Sequence, residues 1–179
     1  THYTYASFAL LLFVALGYMV KFYPEALTGF DSNIQTWVRG DLPGGLTAFF
    51  KMITTLGNTS VQAVIAILAV IWLYLRQYKA EAIFVGTSGV LASIMIMSLK
   101  YGAIAIVLTQ RLVKKAAKTA VYGITGLLIF LVGLSRIYVG VHYPTDVLAG
   151  FTLAFGLLNA IYPTYDRIRF EWRFQSKQK

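Results

Sequence analysis

Ser135-Arg136-Ile137-Tyr138-Val139-Gly140-Val141-His142-Tyr143-Pro144-Thr145-Asp146 lies between two uncharged apolar runs, Thr119 to Leu134 and Val147 to Tyr162. Each run reads as a membrane span, so the stretch is the turn between two crossings. It holds an arginine, one of the chain's two histidines and one of its seven carboxylates. Charged groups beside the hydrocarbon layer cost on the order of several kcal/mol unless they are paired or bind something. A functional site repays that cost.

The spacing indicates its chemistry. His142 and Asp146 are four residues apart, so a helical turn through Pro144 brings them to one face, where the carboxylate takes one imidazole N–H. That orients the ring and leaves its other nitrogen a better nucleophile or base. Arg136 precedes His142 by six residues, and a turn at Gly140 returns its planar fork over the imidazole. A guanidinium in that place matches phosphate oxygens two at a time. An Arg-Asp pair closing a loop, with His142 a bystander, is the simpler alternative for any one of these residues. Three together in an apolar chain favour the site.

Ser-Arg, five residues, His, three residues, Asp resembles the third signature motif of the type 2 phosphatidic acid phosphatase family, membrane relatives of the vanadium haloperoxidases. The match is complete at Ser135, Arg136, His142 and Asp146.

Composition agrees with a membrane protein. The 179 residues are 58% hydrophobic and 13% charged, against about 25% charged in soluble domains. There is no cysteine, hence no disulfide framework or thiolate chemistry. Two histidines without an acidic cluster argue against a protein-built transition-metal site, and no other cofactor is implied. The net charge of +9 would suggest nucleic acid in a soluble protein; here its distribution points to topology instead, and no nucleic-acid partner is expected.

Working outward, Thr1 to Val20 is uncharged and reads as a first span rather than a signal peptide, having neither a basic start nor a small-residue cleavage site. Pro24 to Lys51 mixes Asp31, Arg39 and Asp41 with Ile34, Trp37, Val38, Leu42 and Leu46. It predicts one or two amphipathic helices on the membrane surface joined by a turn, a lid or lipid ramp if functional and a packed surface loop otherwise. Ile53 to Leu75 reads as a second span and Ala82 to Leu99 as a third, with Gly86, Gly89, Ala92 and Ser93 favouring close packing. Gly102 to Leu112 is too short to cross alone, since eleven residues rise about 16 Å against about 30 Å of hydrocarbon. The basic tail from Asp166 is expected to lie at the interface, held by anionic lipid, with a plain solvated tail as the alternative.

The expected fold is therefore all-α, an integral membrane bundle of six transmembrane helices with short amphipathic interfacial helices, in one domain over residues 1–179. Six crossings put eleven of the sixteen Lys and Arg residues on one side, which the positive-inside rule makes cytoplasmic. Lys100, Arg136, His142 and Asp146 then face the extracytoplasmic side of a multi-pass cell-membrane protein, and His2 lies on the opposite face.

The family's first motif is Lys, six residues, Arg-Pro, and its second is Pro-Ser-Gly-His. Lys100 stands where the first would open, but Val107 and Leu108 replace Arg-Pro, and Pro-Ser-Gly-His is absent. A degenerate relative is one explanation. An outer loop that this sequence does not carry, between about residues 100 and 102, is the other, and it would also account for the short fourth span. The resemblance implies metal-independent hydrolysis of a lipid phosphate monoester or pyrophosphate, with His142 as a phosphohistidine nucleophile, Asp146 as its orienting carboxylate, and Lys100 and Arg136 as phosphate ligands. Phosphatidylglycerophosphate, undecaprenyl diphosphate and phosphatidate are the substrates it suggests. A catalytically inactive lipid-binding or flippase-like protein is the contrasting expectation.

Overall fold

The computed structural model describes the backbone of residues 1–40, 43–95 and 97–175, and the side-chain surroundings of all of these except 90–98 and 175. Asp41, Leu42, Lys177 and Lys179 lie outside the described residues, as do the side chains of Ala92 and Ser93. Among the described residues the chain forms eight helices: α1 (His2–Phe22), α2 (Pro24–Val38), α3 (Gly44–Leu56), α4 (Thr59–Leu75), α5 (Lys79–Met95), α6 (Met97–Thr109), α7 (Lys115–Val139) and α8 (Pro144–Gln175).

Phe8, Leu11 and Val14 on α1, Ile67 and Leu68 on α4, and Ile124, Leu127 and Phe130 on α7 are all more than half exposed. Apolar surface on that scale needs a hydrocarbon solvent. Among the described residues three helices, α1, α7 and α8, are long and apolar enough to cross a membrane by themselves.

The second expected span, Ile53 to Leu75, is not one helix. It breaks at Gly57-Asn58, where α3 and α4 meet at 54°, and counted as one bent span the pair is a fourth crossing. The cause is packing. A side chain at Gly57 would sit 2.9 Å from Val132 Cγ1 and 3.1 Å from Arg136 Cδ, so α7 runs directly against the bend. The carbonyls freed there are satisfied by Gln62, whose amide donates to Gly57 O at 2.8 Å, and by Tyr101, whose hydroxyl donates to Leu56 O at 2.9 Å.

The third and fourth expected spans are also redrawn. Leu99 and Lys100 belong to α6 rather than to the end of the third span, and α6 continues without a break through Tyr101 and Gly102. Fully buried Leu99 packs with Ala154, Leu153, Leu157 and Leu158 of α8, which builds this segment into the returning helix. The bond from Arg111, just after α6, to Glu81, near the start of α5, shows that the two helices run antiparallel. At 17 and 13 residues they rise about 25 Å and about 20 Å.

α8 does not stop at Tyr162. It continues through Pro163 to Gln175, and two of its basic residues reach Glu81 beside Arg111: Arg169 at 3.5 Å and Arg173 at 3.9 Å, with Arg111 at 2.8 Å, while Arg167 stays exposed. Above this cluster Leu73, Ala82, Phe84, Val85, Ala103, Val107 and Tyr165 form the main core, with Phe84 and Tyr165 stacked at 4.2 Å. α1 lies antiparallel on α8, with His2 bonded to Asn159 at 3.0 Å, so His2 sits at the Glu81 end of the bundle.

Candidate functional site

At the other end of the bundle, α7 and α8 are joined by residues 140–143 alone. Each helix end is shaped by its own sequence. Gly140 ends α7 in the left-handed conformation, φ +83°, and the Val141 and Gly140 amides donate to the Arg136 and Ile137 carbonyls at 3.1 Å each, a Schellman turn. α8 opens with Pro144 at its first position, where a missing N–H costs nothing. Asp146 Oδ2 reaches back to accept the Tyr143 amide at 3.0 Å, the return half of a capping box.

These two turns bring three side chains together. Arg136 Nη2 lies 3.5 Å from His142 Nε2; Asp146 Oδ2 lies 3.9 Å from His142 Nδ1, too far for the expected imidazole hydrogen bond, because that oxygen accepts the Tyr143 amide instead. With a guanidinium beside Nε2 and a carboxylate beside Nδ1, the favoured neutral tautomer carries its proton on Nδ1 and keeps the Nε2 lone pair on the cationic side. Burial pushes the imidazole below its ordinary value. The Arg136 charge pushes the same way, and the Asp146 carboxylate opposes both. The ring is half-exposed.

Arg136 is held from behind. Its Nη1 donates to Asn58 Oδ1 at 3.1 Å, so the residue at the head of α4 spends its side chain on α7 instead of on its own helix. Sequence reasoning did not single out Asn58; its only signal was Gly57-Asn58 interrupting an apolar run. Asp31 and Arg39 of the amphipathic segment were likewise not assigned to the site, yet both touch its supporting turns. Thr145 donates its amide and hydroxyl to Asp31 at 2.9 and 2.8 Å, and Arg39 Nε donates to Tyr138 O at 3.2 Å.

Lys100 stands apart from this trio, with no hydrogen bond or ion pair to Arg136 or His142 among the described residues. It does lie at the same end of the bundle, next to Tyr101, whose hydroxyl holds the α3/α4 bend that Arg136 also touches. Its residue is 3% exposed, and its Nζ has no hydrogen-bond partner among the described residues. A buried ammonium without a partner suits an incoming anion.

The sequence model of the PAP2 superfamily matches residues 58–170, from Asn58 through Lys100, Arg136, His142 and Asp146. Phosphatidylglycerophosphatase B of Bacillus subtilis (strain 168) is 58% identical over 41 residues, which make up 23% of this chain and 19% of that protein. The chain thus aligns with about a fifth of that relative's length. In fold it matches the crystal structure of a transmembrane PAP2 type phosphatidylglycerolphosphate phosphatase from Bacillus subtilis, with a TM-score of 0.76, over 91% of this chain and 96% of that one, at 23% identity. The shared fold and the exposed apolar helices make this a multi-pass membrane protein. With the family's sequence model covering well over half of its length and the whole Ser135–Asp146 motif, the chain belongs to the PAP2 superfamily, the type 2 phosphatidic acid phosphatases.

Proposed function

We propose that this protein hydrolyses a phosphate ester or pyrophosphate on a membrane lipid, with His142 as nucleophile. The observation that carries the reading is His142 Nε2 beside the Arg136 fork, with Asp146 behind Nδ1. A phosphoryl group entering between the two would meet a lone pair on one side and a planar cation on the other. Nε2 attacks phosphorus and the phosphorus–oxygen bond to the lipid breaks, leaving a phosphohistidine; water then cleaves the phosphorus–nitrogen bond and frees phosphate. Asp146 stabilises the positive ring while the phosphoryl group is attached. Arg136 and Lys100 offset charge on the phosphoryl oxygens, so the scheme asks for no metal.

The curated relative is a phosphatidylglycerophosphatase, which makes phosphatidylglycerophosphate the first substrate to try, with phosphatidate and undecaprenyl diphosphate beside it. The leaving alkoxide needs a proton. In the family pattern the Pro-Ser-Gly-His histidine supplies it; this sequence has no such motif, and α6 runs unbroken through residues 100–102, where an outer loop carrying it would join. The site is proposed to face the extracytoplasmic side, because the cation-rich segments 76–81 and 111–118 and the α8 tail meet at the opposite end around Glu81. Lipid would enter sideways past α2 and α3.

The lack of Arg-Pro and Pro-Ser-Gly-His favours one second reading, a lipid-binding protein without turnover. Purified protein in detergent, given short-chain phosphatidylglycerophosphate and EDTA, is expected to release phosphate, and His142→Ala to abolish the release. Undiminished release from that variant would remove His142 as nucleophile. A wild type that binds the lipid without releasing phosphate would establish the second reading.

A further inference from the structure

The turn that carries His142 has a helix end on each side, and neither end is capped by its own sequence alone. At the start of α8 the cap position is Tyr143, whose side chain offers no acceptor within reach of the first-turn amides. The Thr145 amide would be an orphan donor in a buried position, since Thr145 is 6% exposed. Asp31 of α2 supplies what Tyr143 lacks: Oδ1 accepts the Thr145 amide at 2.9 Å, and Oδ2 accepts its hydroxyl at 2.8 Å. At the end of α7, Arg39 donates Nε to the Tyr138 carbonyl at 3.2 Å, and its guanidinium lies so close over Gly140 that any side chain there would collide with Nη2. The charges suit the helix dipoles, a carboxylate at an N-terminus and a guanidinium at a C-terminus. Asp31 lies on α2 and Arg39 is the residue that caps its end, eight positions or about two turns further on.

We infer that α2 is a clamp on the catalytic turn, with Asp31 capping α8 and Arg39 capping α7 from outside, so that these two positioning residues fix the separation of Arg136, His142 and Asp146. The inference rests on the phosphatase reading for its kinetic consequence but not for its geometry. Asp146 stands next to the residue that Asp31 holds, and its carboxylate is already committed to the Tyr143 amide. Release of Thr145 loosens the first turn of α8 and with it the distance from Asp146 to the imidazole. A misplacement of about 1 Å costs on the order of 100-fold in rate.

The test uses the whole protein in detergent, with two measurements on Asp31→Ala, Asp31→Asn and Arg39→Ala. Amide hydrogen exchange reads the clamp without turnover. Asp31→Ala is expected to speed exchange over residues 143–147, Arg39→Ala over residues 138–141, and Asp31→Asn, which keeps an acceptor for the Thr145 amide, is expected to stay close to wild type. Phosphate release from short-chain phosphatidylglycerophosphate reads the consequence: kcat falls about 10- to 100-fold for Asp31→Ala with KM within about 2-fold, and Asp31→Asn recovers most of it. Unchanged exchange in both alanine variants overturns the clamp. Faster exchange with kcat unchanged overturns the positioning role. A wild type without phosphate release counts against the phosphatase reading alone, because exchange still decides the clamp.

Discussion

At the residue scale the informative group is the His142 imidazole. Its depression by burial and by Arg136 extends the neutral, nucleophilic form to lower pH than an ordinary histidine near 6.5 allows. The acid limb of kcat/KM is therefore expected below about pH 6.5, where the free enzyme's imidazole takes up its proton. Asp146→Asn removes the one charge that raises the ring's pKa and should move the titration to still lower pH, while Arg136→Leu removes a lowering charge and should move it upward. With only two histidines in the chain, ring-carbon NMR of the labelled protein follows both, and a His2→Gln variant assigns them. An Arg136→Leu titration unmoved or moved to lower pH would break the electrostatic link between the two side chains. The Arg-His-Asp grouping was legible from spacing because helix geometry makes four residues one turn, and Gly140 marks the reversal.

At the element scale, the α3/α4 bend and the α7–α8 turn do different work. The turn is locally encoded, by a glycine in the left-handed region, a proline at the first helical position and a carboxylate two residues after it. The bend is not. Gly57-Asn58 interrupts an apolar run that otherwise reads as one span, and it becomes a bend because α7 occupies the space beside it. Gly57→Ala places a methyl 2.9 Å from Val132 Cγ1 and 3.1 Å from Arg136 Cδ, so it should shift Arg136 off Asn58. The expected result is a fall in kcat/KM of about 10- to 100-fold with the protein still folded, measured by phosphate release and by circular dichroism. Wild-type kinetics would mean that the bend does not position the arginine. The reassignment of Leu99 and Lys100 to α6 has the same origin: apolar character runs through both helices, and only the seat of Leu99 on α8 decides to which it belongs.

At the scale of the whole molecule, the bundle has two polar ends of opposite design. The site end is open, with half-exposed His142 and Asp146. The other end is closed around Glu81, which is 4% exposed and takes Arg111 from after α6 with Arg169 and Arg173 from α8. Arg111 also lies over the Tyr78 ring at 3.1 Å. One carboxylate thus ties α5, α8 and the segment after α6 together, and Glu81→Ala takes the counter-charge from the largely buried Arg111 and leaves Arg169 with only Asp166 at 4.0 Å. The expected cost is about 3–5 kcal/mol, read as a lower Tm in detergent with little change in KM for protein that remains folded. An unchanged Tm would show that the tail docks by apolar contact alone.

What the sequence by itself determined is whatever depends on neighbours within about two turns: the helical class and apolar character, the spacing that groups Arg136, His142 and Asp146, and the amphipathic helical character of the segment that becomes α2. Only the tertiary structure decided where the apolar runs break, which way the basic tail turns, and that Asp31, Arg39 and Asn58 serve the His142 turn from segments 78 to 114 residues away. The physical reason is that in a chain this apolar, hydrophobicity is nearly uniform along each helix and carries little information on partners. The choice falls to where a glycine lets two helices touch and where a buried donor finds its acceptor.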